Sequence, residues 1–514
     1  MDGGDYYFAI GNGSHEATNN VITQMGKTGD MAGSSSKVKV WNNGSEADTD
    51  TVTFSKSKSG AQITNHLDSS DLNYYLPDTV TYLSRSNWSE TYPKNYNTIN
   101  GGKGVSIASS SKKDEWISNM RNEQRLVKTN DPVKNFDGVK NGLTWENMPA
   151  SAVENIYDPW WDNYVAQIPA EEAVGAVAHG GSQSDILTNL ENPVVKQFDG
   201  PAGFNNKKMS ENNKDVDPET EEGKFKGNVH SQTLEGSSFN PELAYRWGRA
   251  LGNFGLWAQV YNIWAGGLNV HRNPYNGRNI EYLSEDSMLT NIMGREFLKA
   301  TLEKGLLVGP KHVGFNDQEY NRAGVAVYLN EQKARETDLR GFEGSIEDAG
   351  ALAYMCAFNR LGATNVAHYK ELHVDLIREE WGFKGLITTD MMSNKYYFNP
   401  ESCINATITQ MADFGGENSH LNLGTDGNDA TWTYLSPDAI KNDNALVEQA
   451  RQNMKYQLFA FSQTAIKNIK TYRVTPWWET TLVAMVATFY VLAAAATCFL
   501  AIAYVPSKAQ KEEK

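Results

Sequence analysis

The stretch GLITTDMM, from Gly385 to Met392, is the part of the sequence that most clearly indicates the fold. Leu386, Ile387 and two threonines are followed at once by an aspartate, Asp390. A short apolar run that ends in polar residues is typical of a strand buried on both faces of a parallel sheet. Asp390 would then lie at the carboxyl end of its strand, where parallel α/β proteins bind their ligands.

Four further runs in the chain repeat this pattern. They are VVKQFDGPAG from Val194, YNIWAGGLNVHRNPYNGRNIEYLSED from Tyr261, GLLVGPKH from Gly305 and ALAYMCAFN from Ala351. Between and after these runs, apolar residues recur at helical spacing over 243–254, 289–300, 369–376 and 447–461. Strands that alternate with helices predict an α/β fold of parallel strands with crossover helices. If the strands close into a barrel, their polar carboxyl ends meet on one face.

Composition excludes several classes of function. The chain has 514 residues, with 47 basic and 62 acidic side chains and a formal net charge of -15, so a nucleic-acid partner is not expected. Cys356, Cys403 and Cys498 form neither a disulfide framework nor a zinc-binding pattern. His271 and His312 lack a third ligand at plausible spacing, and no phosphate-binding glycine loop is present. We therefore expect neither a metal nor another cofactor.

Several long motifs resemble glycoside hydrolase family 3. They are FDGPAG, NVHRNPYNGRNIEYLSED, PKHVGFNDQE and EWGFKGLITTDM, and the resemblance extends from about Trp145 to Ile469. It implies a TIM-like (β/α) barrel that hydrolyses β-glucosides and related β-glycosides with retention. The overall arrangement is similar to a subgroup with inverted domain order and a carboxy-terminal membrane anchor, so we expect the chain to be truncated at its amino terminus.

The resemblance also implies roles for particular residues. Asp390 matches the catalytic nucleophile, which forms a covalent glycosyl-enzyme. Its carboxylate, at the end of an apolar strand, would be protonated unless nearby cations keep it ionised. In the family the positions of Asp199, Arg278, Lys311 and His312 bind the terminal sugar, and the three basic residues among them are candidates for those cations. This implies an exo-acting enzyme that removes terminal nonreducing β-D-glucosyl residues from a β-linked glucoside or oligosaccharide.

The sequence departs from the family at two positions of the sugar site and in the general acid. Phe358 stands where many members have a tyrosine that contacts the nucleophile, and Met391 stands where an aromatic residue is common. A retaining glycosidase also needs a second carboxyl group, about 5–5.5 Å from the nucleophile, to protonate the leaving oxygen. No motif in the chain supplies this acid. The alternative is therefore a catalytically impaired sugar-binding membrane protein that lacks the general acid.

The carboxy-terminal end predicts a single transmembrane helix. Residues 480–505 carry no charge, and a helix of that length crosses a bilayer core of about 30 Å. No export signal precedes the barrel, so either the protein is tail-anchored in the cytosol or the chain continues before Met1. Following the second possibility, we expect a single-pass protein that contacts membrane lipid through this helix and has its barrel outside the cell.

The resulting domain prediction has five parts. A small β-rich segment and linker region spans 1–110, with strands over Lys37 to Trp41, Thr51 to Ser55 and Thr79 to Ser84, where apolar and polar residues alternate. A linker spans 111–144, the barrel domain 145–470, the transmembrane helix 480–505 and a polar tail 506–514. The oligomeric state is left open.

Overall fold

The computed structural model describes residues 4–42, 44, 55–82, 106–121, 129–178, 180, 183–200, 202–204, 209–226, 230–316, 318–391, 398–412, 437–468 and 477–512. These residues have a mixed α/β fold. The chain divides into two compact units, Met1–Lys467 and Asn468–Lys514.

The strands and helices follow in chain order. The strands are β1 Asp5–Ala9, β2 Val38–Asn42, β3 Gln197–Asp199, β4 Asn262–Trp264, β5 Leu307–Val308, β6 Ala326–Val327, β7 Ala353–Met355, β8 Arg360–Leu361, β9 Thr364–Asn365, β10 Leu386–Met391 and β11 Gln410–Ala412. The helices are α1 Ser14–Gln24, α2 Leu72–Tyr75, α3 Lys113–Met120, α4 Ala150–Glu154, α5 Pro159–Val165, α6 Ala170–Ala178, α7 Met209–Asn212, α8 Glu221–Lys224, α9 Gln232–Ser237, α10 Pro241–Ala258, α11 Ser287–Leu302, α12 Glu331–Lys333, α13 Arg340–Glu347, α14 Pro400–Asn405, α15 Pro437–Ile440, α16 Asn444–Ser462 and α17 Trp477–Glu512. Ala334–Asp338 and Glu371–Glu380 are π-helical.

Two parallel sheets carry the runs that the sequence analysis identified. One has the strand order β3-β4-β5 and the other β11-β10-β7. Parallel bridges continue the pairing beyond both sheets, from Val313 to Cys356 after β5 and β7, and from Gly180 to Ala412 at β11. Helices α10, α11, α13 and α14 and the Glu371–Glu380 segment lie between consecutive parallel strands. The predicted alternation of strands and helices is therefore present.

Local sequence explains where the two longest crossover helices begin. The Asn240 side chain accepts a hydrogen bond from the Leu243 backbone N–H, and Pro241 occupies the first turn of α10. Asp286 caps α11 in the same way, through Leu289. A side-chain acceptor at this position satisfies a backbone donor that the helix itself leaves free, and proline fits the first turn because it has no N–H to lose.

Apolar side chains from the sheets and helices form two large buried clusters. One contains Ile387 and Tyr354 of the strands together with Leu251 of α10 and Phe297 of α11. The other packs α16 and the α5–α6 region against strand residues such as Leu386. Burial on both sides leaves the ends of the strands, rather than their faces, open for polar side chains.

The amino-terminal third differs from its prediction at several points. Strand β2 covers the expected stretch near Lys37 to Trp41 and pairs with β1 in an antiparallel two-stranded sheet, with helix α1 between the two strands in the chain. Residues 79–82 form no strand, so this part of the strand predicted from Thr79 to Ser84 is wrong. The rest of that prediction, at 83 and 84, lies outside the described residues, as do residues 51–54 of the strand predicted from Thr51 to Ser55. Within the expected linker, α3 buries Trp116. The Trp116 ring stacks on the Tyr75 ring, and this contact packs α3 against the fold, although the polar composition of the segment did not predict a packed helix.

The second unit contains the long helix α17. Its segment Thr480–Tyr504 has 25 residues and a mean hydropathy of 2.1. By length and composition it could cross a membrane.

Candidate active site

A pocket of about 230 Å³ lies at the carboxyl ends of the parallel strands. It is lined by Asp199, Trp264, Arg278, Lys311, His312, Glu319, Arg322, Met355, Asp390, Met391 and Ala412. Asp199 ends β3, Asp390 lies near the end of β10, and Lys311 and His312 follow β5. The structure thus brings six of the seven predicted site residues to one cavity.

Asp390 presents one free carboxylate oxygen within this pocket. Its Oδ1 accepts a hydrogen bond from the Met391 backbone N–H at 2.7 Å. Its Oδ2 is buried and receives no hydrogen bond from the described residues. The nearest cationic nitrogen to Oδ2 is Nη1 of Arg322, at 3.6 Å, and Nε2 of His312 lies at 3.7 Å. Buried polar atoms in proteins are nearly always hydrogen-bonded, so this oxygen calls for an explanation, and a catalytic role is one.

Burial raises the pKa of Asp390, and nearby groups oppose this effect. Among the opposing charges Arg322 acts most strongly, followed by Arg278 and Lys311. His312 contributes no positive charge, because burial lowers its pKa well below the ordinary value and the three neighbouring cations lower it further. The expectation that His312 helps to keep Asp390 ionised is therefore wrong. A neutral histidine can instead donate a hydrogen bond to a hydroxyl group or accept one from it.

Lys311 and Asp199 form an ion pair on one wall of the pocket. The lysine is only 2% exposed, whereas the aspartate side chain is 46% exposed. The Lys311 ammonium thus has a fixed partner, and the carboxylate faces the open part of the cavity. Such a pair can accept hydrogen bonds from sugar hydroxyls through Asp199 and donate others through Lys311.

Arg278 is fixed by two carboxylates. Its Nε and Nη2 donate to the two oxygens of Glu281 at 2.9 and 2.6 Å, and its Nη1 donates to Glu319 at 3.4 Å. Asn316 also donates to Glu319, at 3.1 Å. The bidentate contact with Glu281 holds the Arg278 side chain in a fixed orientation, so Glu281 acts as a structural carboxylate.

Glu319 and Arg322 are site residues that the sequence analysis missed. Arg322 Nη1 lies 3.3 Å from Glu319 Oε2 and also reaches Asp390, so it links the two carboxylates. Its guanidinium carbon lies 4.4 Å from the centre of the Phe358 ring. Phe358 is buried and supports Arg322 from below rather than lining the pocket. The i,i+3 spacing of Glu319 and Arg322, on the loop that follows Lys311 and His312, is the sequence signal that could have revealed them.

Part of the chain is similar to proteins of a known family. Residues 223–412 match the family model described as the glycosyl hydrolase family 3 N terminal domain. The β-glucosidase BoGH3A of Bacteroides ovatus is 32% identical over 158 residues, which are 31% of this chain and 21% of the relative. A β-glucosidase of Rhizobium radiobacter is 28% identical over 235 residues, 45% of this chain and 27% of the relative. An exo-α-(1→6)-L-arabinopyranosidase of Bifidobacterium breve is 33% identical over 154 residues, 30% of this chain and 20% of the relative.

Solved structures show the same fold. A β-glucosidase from Paenibacillus barengoltzii superimposes with a TM-score of 0.53 at 21% identity, over 68% of this chain and 38% of the other. The fold and the family match both make the chain similar to glycoside hydrolases. Residues 223–412 are thus similar to the amino-terminal domain of glycoside hydrolase family 3, and the chain is similar to β-glucosidases of that family. The match spans only 20% to 27% of the length of the three curated relatives named above.

Proposed function

We propose that the chain carries the nucleophile and the sugar-binding residues of a retaining, exo-acting β-glycosidase that removes terminal nonreducing β-D-glucosyl residues. The observation that carries the proposal is the buried Asp390 Oδ2, which has no hydrogen-bond donor among the described residues and faces a pocket with cations around it. The pocket lies at the carboxyl ends of parallel strands, which supports a closed TIM-like barrel over 145–470.

In this mechanism Asp390 Oδ2 attacks the anomeric carbon of the bound sugar. The bond from that carbon to the leaving oxygen breaks, and the leaving oxygen takes a proton from a general acid. Water then displaces Asp390 from the glycosyl-enzyme. Asp199 and Lys311 would bind neighbouring hydroxyls, and Arg278 and neutral His312 would donate to others. Met391, 45% exposed at the rim, would contact the sugar face.

A 2-deoxy-2-fluoroglucoside with a good leaving group tests the nucleophile. Wild-type protein should accumulate a covalent adduct on the peptide that contains Asp390, measured by mass spectrometry. Asp390→Asn should give no adduct, because an amide is a poor nucleophile with nearly the same volume. An adduct of equal yield on that variant, or an adduct on another carboxylate, would refute the assignment.

The other two carboxylates of the pocket favour a second candidate function, sugar binding with impaired turnover. Asp199 is paired with Lys311, and Glu319 lies between Arg278 and Arg322. Both carboxylates are therefore engaged with cations rather than placed as free proton donors. If these groups leave the reaction without an acid, a 4-nitrophenyl glucoside should react about 10²- to 10⁴-fold faster than an alkyl glucoside. Similar rates on both would show that a proton donor acts in this protein.

We also propose that α17 anchors the protein as a single-pass helix in lipid, with the barrel outside the cell. The charge-free segment Thr480–Tyr504 supports this proposal. Trp477 and Trp478 precede the segment and are 79% and 56% exposed, the position that aromatic anchors take at a membrane interface.

A further inference from the structure

A second and larger cavity opens at the opposite ends of the strands. It has a volume of about 720 Å³, and Lys58, Tyr157, Glu347, Arg378, Glu379 and Lys384 are among its lining residues. Glu347 ends α13, which precedes β7, while Arg378 to Lys384 precede β10. We call it the amino-end cavity, because it lies where these parallel strands begin. It shares no lining residue with the candidate active site.

Arg378 gives this cavity a rigid cationic wall. Its Nε donates to Thr407 Oγ1 at 2.8 Å, and its Nη2 donates to the carbonyl oxygens of Gly385 and Thr407 at 3.1 Å. Its guanidinium lies 3.7 Å from the centre of the Tyr456 ring. The remaining contact, from Nη1 to the Phe383 carbonyl at 3.5 Å, is long. Nη1 therefore keeps donor capacity for a ligand oxygen.

Tyr157 supplies an exposed aromatic face beside this wall. The residue is 65% exposed although it lines a cavity. Lys384 Nζ lies 5.4 Å from the centre of its ring, so a flexible donor accompanies the flat apolar surface. An amphipathic ring with one face open to solvent suits a ligand that has both apolar C–H groups and hydroxyls.

Two carboxylates complete the polar lining. Glu347 Oε1 accepts a hydrogen bond from the Lys58 backbone N–H at 3.3 Å, and burial, with Glu343 nearby, raises the pKa of Glu347. Glu379 lies exposed at the rim. Lys58 itself is paired with Asp348. The cavity therefore offers acceptors and donors in similar number. A purely apolar ligand would leave these charged groups without partners.

We infer that the amino-end cavity binds a neutral glycan chain as a second, non-catalytic carbohydrate site. Tyr157 stacks on a sugar ring, Arg378 and Lys384 donate to hydroxyl oxygens, and Glu347 and Glu379 accept from hydroxyl groups. The choice of a glycan as ligand rests on the proposed glycosidase function. The site would hold a polymeric substrate at one end of the fold while chain ends are cleaved at the other.

Isothermal titration with laminarihexaose and cellohexaose tests the inference on the whole 514-residue chain in detergent. Asp390→Asn is the parent, because it prevents turnover without altering the amino-end cavity. The parent should bind at two sites. Adding Tyr157→Ala should remove one of them or weaken it by about ten-fold, the loss expected for one stacking contact plus the ring area buried with it. Adding Tyr157→Phe should leave both sites, since the ring remains.

Three results separate the inference from the proposed function. Equal affinity and stoichiometry in the parent and in its Tyr157→Ala derivative would overturn the inference, whatever the catalytic assays show. Tyr157-dependent glycan binding in a protein that never labels at Asp390 would support the second site and refute the proposed function. Tyr157→Ala alone should keep wild-type turnover of a 4-nitrophenyl glucoside, because Tyr157 does not line the active-site pocket. Loss of that turnover would mean a folding effect and would count against the inference.

Discussion

Replacing Arg322 by methionine should raise the pH at which activity appears. Arg322 Nη1 lies 3.6 Å from Asp390 Oδ2 and is the strongest of the charges that oppose the raised pKa of this carboxyl group. Two unit charges at that distance attract by about 4–5 kcal/mol at an effective dielectric constant of about 20. The Arg322 side chain is 26% exposed, so solvent screens part of this attraction. We expect the pKa of Asp390 to rise by a further one to two units, about 1.4–2.7 kcal/mol.

The assay is the pH dependence of kcat/KM on 4-nitrophenyl β-D-glucoside, whose acid limb reports the nucleophile in the free enzyme. In Arg322→Met this limb should move up by about one to two pH units, which lowers kcat/KM by about ten-fold per unit on the limb. Arg322→Lys is the matched control. It retains the positive charge above Phe358 and should keep most of the wild-type profile.

Two outcomes would refute this reasoning. If the acid limb of Arg322→Met coincides with that of wild type, Arg322 does not keep Asp390 ionised. If Arg322→Lys shifts the limb as far as Arg322→Met does, the effect comes from lost packing or lost contacts with Glu319 rather than from charge. A thermal melt of each variant at one pH separates a folding defect from either result.

Three further variants test other parts of the structure. Burial raises the pKa of Asp390 in the folded protein above its unfolded value of about 3.9. Ionisation of Asp390 therefore lowers the free energy of unfolding at any pH above the folded-state pKa, and it has no effect on stability at a pH below the unfolded-state pKa. Asp390→Asn should therefore raise the melting temperature at pH 7, and the gain should vanish as the pH approaches 4; a gain that is independent of pH would contradict this. Lys311→Met removes a charged donor worth about 1.5–3 kcal/mol, so kcat/KM should fall by about 10- to 150-fold, and a fall below three-fold would exclude sugar binding by Lys311. Deleting every residue after Pro476 should move the protein from the membrane pellet to the supernatant, and retention in the pellet would contradict a single anchor.

The strands and the polar groups at their ends could be predicted because both are local properties of the sequence. GLITTDMM combines an apolar run with an aspartate, and β10 with Asp390 near its end follows directly. The two long crossover helices combine an apolar stripe with a capping side chain, and both are found within a few residues of the stripe. Each of these signals lies inside about 20 residues of chain.

What could not be predicted depends on contacts between distant segments. The charge of His312 is set by complete burial, and nothing in PKHVGF indicates that burial. Helix α3 forms in a stretch that looked like a linker, because Trp116 packs against Tyr75 and its Nε1 donates to the Tyr328 hydroxyl at 2.8 Å. Arg322 gains its importance from β10, 68 residues further along the chain, so spacing alone does not connect it with Asp390.

The pairing of charges in the pocket explains why Asp390, rather than Asp199 or Glu319, is suited to act as the nucleophile. Arg278 and Arg322 both contact Glu319, and Lys311 contacts Asp199, so these two carboxylates already have cationic partners. Asp390 is the exception, because Arg322 lies near its Oδ2 at a distance too long for a hydrogen bond. The cation therefore favours the ionised form without blocking the lone pairs that must attack. A donor at hydrogen-bonding distance would lower the pKa further but would also have to be displaced before reaction, so the longer contact suits a nucleophile better than a direct ion pair would.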